Sequence, residues 1–77
     1  MVKIKASIYE DSLDIHTDGL SYLTVAIIEE VCVDYGVRSK RYSLEGGNML
    51  ELTADCMFDI WQVIYELSTS GYVLEIY

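Results

Sequence analysis

The stretch VKIKASIYEDSLDIHTD, Val2–Asp18, decides how this chain begins to fold. Val2, Ile4, Ala6 and Ile8 alternate with Lys3, Lys5, Ser7 and Tyr9, and that period of two marks a half-buried strand. Leu13 and Ile15 resume the alternation after the polar turn Glu10-Asp11-Ser12. Pairing Ile8 with Leu13 and Ala6 with Ile15 keeps all four apolar residues on one face. A slip of one residue would move a whole strand's apolar set to the other face, so the register is specified.

Beyond this hairpin the period changes. Leu20, Leu23, Ile27, Val31 and Tyr35 recur at helical spacing, which predicts a first helix over 19–35, capped by Asp18 or Thr17 and closed by Gly36. Arg38–Glu45 then reads as a strand, Gly46-Gly47-Asn48 as a turn and Met49–Thr53 as its partner strand. A three-residue loop pairs Leu44 with Leu50 and Tyr42 with Leu52, all facing inward, and is preferred to a Gly-Gly loop for that reason. A second helix is expected over 55–70, with Met57, Ile60, Trp61, Ile64 and Leu67 as its core stripe and Gly71 as its end. The alternating Tyr72–Tyr77 supplies a last strand.

The order is ββαββαβ, which predicts an α+β domain: a five-stranded, mostly antiparallel sheet with two helices on one face. Crossovers between parallel strands must be right-handed. Strand order 2-1-5-3-4 meets these conditions, with 4-3-1-2-5 as a competitor. The halves resemble each other: LDIHTD at Leu13–Asp18 aligns with LELTAD at Leu50–Asp55, and at the same offset Ile27 falls on Ile64 and Glu29 on Glu66. An internal ββα repeat, 2–36 and 38–71, fits a duplication, and it fits equally two units that share a binary pattern. The whole, residues 1–77, has room for one core.

Chemistry-bearing constellations are scarce. His16, the single histidine, lies two residues from Asp14 on the outer face of its strand; one imidazole with one carboxylate is too small a ligand set for a metal. Gly46-Gly47 leads into a strand, whereas a phosphate loop leads into a helix N-terminus. Glu29-Glu30 point about 100° apart on a helix and do not flank a cleft. Cys32 and Cys56 have no CxxC spacing and read as buried or half-buried thiols. No catalytic, cofactor or metal residue is assigned, and no enzymatic activity is expected. The N-terminus lacks the apolar run of a signal peptide, and no segment approaches the ~20 apolar residues of a membrane span, so a cytoplasmic setting is expected.

Charge is more informative. Thirteen acidic residues against five basic give a net charge of −8. Such a chain repels nucleic-acid phosphates and anionic membranes, so direct binding to either is disfavoured, and it attracts basic surfaces. The basic residues Lys3, Lys5, Arg38, Lys40 and Arg41 all fall in or beside strands, and both helices contain none. Away from its stripe the first helix still carries Tyr22, Val25, Ala26 and Val33, where a surface helix is normally polar. The expected function is a non-enzymatic binding module whose site is Tyr22, Glu29, Glu30, Asp55, Asp59 and Glu66. Its expected partner is the basic surface of another protein, one that binds nucleic acid. Size and charge suit a phage-type inhibitor of host defence, acting by DNA-charge mimicry or by blocking a surface. The acidity could instead serve solubility. Other readings are an assembly protein that homodimerises through the first helix or through sheet edges, and a small-ligand regulatory domain.

Overall fold

The computed structural model describes residues 1–77. Its elements are β1 (Val2–Tyr9), β2 (Ser12–His16), α1 (Tyr22–Asp34), β3 (Arg38–Leu44), β4 (Gly47–Thr53), α2 (Met57–Thr69) and β5 (Tyr72–Ile76). The class is α+β in the expected ββαββαβ order, with one parallel strand pair in an otherwise antiparallel sheet. The first hairpin adopts the register set by its apolar alternation, Ala6 opposite Ile15 and Ile8 opposite Leu13.

The strand order is β3-β4-β2-β1-β5, which corrects both orders derived from the sequence. The two hairpins meet through β2 and β4, and β5 is added outside β1 in parallel. Leu13 faces Leu52 and Ile15 faces Leu50, four residues with no exposed surface. Placing β2 beside β4 therefore joins the two most apolar strand faces at the centre, whereas both rejected orders keep β2 and β4 apart. The arrangement also relates the halves. Asp14 and Glu51, equivalent in the LDIHTD and LELTAD alignment, are direct partners, so a pseudo-two-fold axis passes between them. The crossovers through α1 and α2 leave antiparallel strands in opposite directions. A common handedness thus places both helices on one face, and α1 and α2 touch there.

The second hairpin differs from the expected one. Its loop is Glu45-Gly46, Leu44 faces Gly47, and Leu50 lies opposite Arg41 rather than Leu44. Tyr42 pairs with Met49 and Ser39 with Leu52. The helix side of β3 is therefore polar (Ser39, Arg41, Ser43), and Tyr42 and Leu44 lie on the open side of the sheet. Asp18 sets this register. Its carboxylate accepts from the Asn48 backbone N–H and from Asn48 Nδ2, both at 3.0 Å. Asp18 thus ties the hairpin and does not cap α1; Ser21 is the cap, its hydroxyl accepting from Thr24 N–H at 3.1 Å.

Both helices are rotated from their expected stripes. Burial on α1 centres on Ile28 and Cys32, with Ile27, Val31 and Tyr35 at the margin, and Leu23 is 70% exposed. On α2 the buried residues are Ile60, Val63 and Leu67, and Trp61, expected in the core, is 48% exposed. Counted from the helix starts, Ile28 matches Val63 and Cys32 matches Leu67, so the two helices seat alike. Steps of three and four from Ile60 reach either Trp61's neighbours or Val63 and Leu67. Packing into the core selects the second set.

Cys56 is exposed, which corrects its expected burial, and it occupies the N-cap of α2 without a side-chain cap bond. A thiol is a poor acceptor for the orphan N–H groups of a helix start. Cys56→Ser should therefore raise stability by about 1 kcal/mol, read as a higher midpoint in urea. An unchanged or lower midpoint would show that the hydroxyl makes no cap.

Candidate protein-binding surface

The helical layer places the six expected site residues in two groups. The first stands over the β3 edge. Arg41, on the helix side of β3, reaches up to α1 and donates from Nε to Glu29 at 2.9 Å and from a terminal nitrogen to the other carboxylate oxygen. The same guanidinium stacks over the Tyr22 ring, 5.3 Å from its centroid. The hydrogen bond from Arg41 holds the Glu29 carboxyl below the usual range, against the opposing pull of burial. Glu29 and Tyr22 are therefore brought together, through a residue that sequence reasoning left out. The signal for it was the hairpin register: an arginine opposite Leu50 on the covered face must extend towards α1 to find a carboxylate.

Glu30 stands on the outer crest of α1, exposed. The second group belongs to α2. Glu66 accepts from the Tyr35 hydroxyl at 3.5 Å, so the side of α2 bearing Glu66 and Asp59 faces α1. Asp55 lies apart from both groups, before α2, and pairs with Arg38 at 3.3 Å with both side chains exposed. No helix supplies a cation, but Arg38 and Arg41 of β3 do. Exposed pairs of this kind contribute at most about 1 kcal/mol each. Glu30, Asp34 and Asp59 have no cationic partner within ion-pair distance.

Large apolar side chains stand exposed beside these carboxylates: Tyr22 at 82%, Val33 at 76% and Leu23 on α1, with Phe58, Trp61 and Tyr65 on α2. A cavity of about 350 Å³ opens at the start of α1, lined by Leu20, Tyr22, Val25, Arg41, Tyr42 and Met49 among others. Its charged group, Arg41, is already committed to Glu29, and no acid–base pair faces it.

The open face of the sheet carries one further feature that the sequence does not reveal. Asp14, read as an outer strand residue beside His16, is buried, and its Oδ1 has no hydrogen-bond partner. His16 itself is exposed. Burial, followed by the neighbouring Asp14 carboxylate, pushes the Tyr42 phenol up to about 12. Burial, followed by the charge of Glu29, likewise pushes the Cys32 thiol up to about 12. Both groups are neutral when protonated and keep their protons longer folded than unfolded. Their stabilisation is full below the unfolded values, near 9 for the thiol and 10 for the phenol, and is lost as pH rises towards 12. Stability measured in urea should therefore fall from about pH 9 upwards. Cys32→Ala should remove the earlier part of that fall, and a flat profile between pH 9 and 12 would contradict it.

No group of three or more His, Cys, Asp or Glu side chains comes together to hold a metal ion. No helix is long and apolar enough to cross a membrane. No family model, no curated protein and no solved structure matches the chain.

Proposed function

We propose that this chain is a non-enzymatic binding module that sets the outer face of its helices against a basic surface of another protein. A partner that handles nucleic acid fits best, because a clustered basic patch is the electrostatic footprint of such proteins. In that setting the module acts as an inhibitor, by DNA-charge mimicry or by covering the surface. The observation that carries this reading is the composition of the outer helix faces. Exposed Tyr22, Leu23 and Val33 stand among Glu30 and Asp34 on α1, Asp59 lies on the side of α2 that faces α1, and neither helix carries a lysine or arginine. Exposed aromatic and aliphatic anchors act on dissociation, and surrounding charges of one sign act on association.

The test is a pull-down from source cells with the intact chain as bait. Wild type should retain nucleic-acid-binding proteins that added duplex DNA displaces and that moderate salt releases. A Glu30→Lys, Asp59→Lys variant should lose them, and Leu23→Ala should retain them more briefly. Glu29 is left unchanged because Arg41 depends on it. If the charge-reversed variant captures the same proteins, or DNA fails to displace them, the acidic face is not the working surface.

A further inference from the structure

We propose that the free edge of β5, with the aromatic flank of α2 above it, is a homodimerisation surface that joins two sheets into one of ten strands. This inference does not depend on the partner reading above, which rests on the acidic side chains of the helices and not on the β5 edge.

The two edges of the sheet are treated differently by the sequence. β3 carries Arg38, Lys40 and Arg41, charges that discourage edge-to-edge pairing. β5 is Tyr72-Val73-Leu74-Glu75-Ile76, with no lysine, arginine, proline or bulge and with one acid. Its outward groups follow from its bonds to β1. Val2 N–H donates to Gly71 C=O and Tyr77 N–H donates to Ala6 C=O, so residues 71, 73, 75 and 77 face β1. Tyr72, Leu74 and Ile76 therefore present their N–H and C=O groups to the open edge.

The flank above this edge is apolar. Glu66 marks the side of α2 that faces α1, α1 lies over β3, and α2 lies over β5. At about 100° per residue, Tyr65 stands on the outer crest of α2, opposite the buried Ile60, Val63 and Leu67, and Trp61, about 140° from Glu66, leans to the side over β5. Phe58, Trp61 and Tyr65, spaced at i, i+3 and i+7, form one exposed stripe along this crest, at 62%, 48% and 66% exposure, with Trp61 at its β5 edge.

The occupant that fits is a second copy, because one antiparallel register satisfies every constraint. With Leu74 on a two-fold axis, the outward groups of Leu74, Tyr72 and Ile76 meet those of Leu74, Ile76 and Tyr72 of the other copy. On the helix side the row Ile4-Leu74 continues into the copy's Leu74-Ile4, which extends the apolar layer across the junction. On the open side Glu75 comes opposite Val73 of the copy, whose β1 neighbour is Lys3, while Lys5 flanks Glu75 in its own chain. The carboxylates are thus interleaved with lysines from both copies. A register centred on Glu75 would place the two carboxylates face to face and is disfavoured. The Trp61 sides of the two α2 helices then face each other above the junction, where aromatic anchors are most effective.

The test is sedimentation equilibrium of the full chain across concentration, with cross-linking to read the register. Wild type should form a dimer that tightens as salt rises, since each copy carries −8 and screening weakens their repulsion. Trp61→Asp, at an exposed position that leaves the fold intact by circular dichroism, should raise the dimer Kd about thirtyfold or more. In a Cys56→Ser background, Val73→Cys with Glu75→Cys should oxidise to a covalent dimer, and Glu75→Cys alone should not. A chain that stays monomeric at all concentrations overturns the proposal. So does a dimer indifferent to Trp61→Asp, or one that cross-links through position 75 alone.

Discussion

Leu50→Ala should leave the protein largely unfolded under mild denaturant, with a loss of about 2–5 kcal/mol by the large-to-small rule. Leu50 has no exposed surface and lies on β4, paired with Ile15 on one side and Arg41 on the other. It belongs to the continuous core that includes Leu13, Leu52, Ile28 and Ile60. Truncation removes its contacts at the junction of the two hairpins, where regular strand pairing on both sides prevents collapse into the void. A domain of this size has a stability of about 4–10 kcal/mol in total, so the loss is a large fraction of it. Trp61→Ala is the matching control. Sequence spacing alone put that indole in the core, but it is 48% exposed, and its removal should cost less than half as much as Leu50→Ala. Urea midpoints with unchanged slopes check both. The assignment of core and flank fails if Trp61→Ala proves the more damaging.

Gly47→Ala should destabilise by about 2–4 kcal/mol, combining the strain of positive φ with lost hydrogen bonds. Gly47 has φ +125°, a conformation that side chains rarely adopt. A Cβ there would collide with the carboxylate of Asp18, the group that holds Asn48 and with it the second hairpin. Relieving the collision means moving Asp18 and giving up both bonds to Asn48. The two positions should therefore couple: Asp18→Ala with Gly47→Ala should lose less than the sum of the single losses. Thermal melts of the four proteins measure this directly. Additive losses would show that the carboxylate does not constrain the glycine.

Much of the fold was legible because strand and helix periods differ. Element order, the β1–β2 register and the single sheet followed from where apolar residues recur, since one buried face permits one register. The second hairpin misled. Maximising inward leucines favoured pairing Leu44 with Leu50, and no local pattern announces that Asp18, thirty positions away in sequence, holds Asn48. Helix rotation misled for a related reason. α1 and α2 are apolar over so much of their circumference that periodicity admits several faces, and the sheet beneath chooses among them. The strand order lay beyond the sequence because several arrangements satisfy handedness, and the pairing of Leu13 with Leu52 and Ile15 with Leu50 settles it.

The candidate surface divides in the same way. The absence of cations from both helices, and the apolar residues Tyr22 and Val33 outside the first helix's stripe, are properties of the chain that hold in any packing. Which carboxylates remain unpaired is not such a property. Arg41 reaches Glu29 because β3 passes beneath α1, and Arg38 reaches Asp55 because it pairs with Thr53 at the end of β4, which leaves Glu30 and Asp59 without cationic partners. The burial of Asp14 and the open edge of β5 are likewise consequences of which strands lie side by side. Local sequence determined the elements and the charge they carry, because backbone period and side-chain chemistry are short-range. Tertiary packing alone decided which faces meet, because that choice depends on the fit between segments distant in the chain.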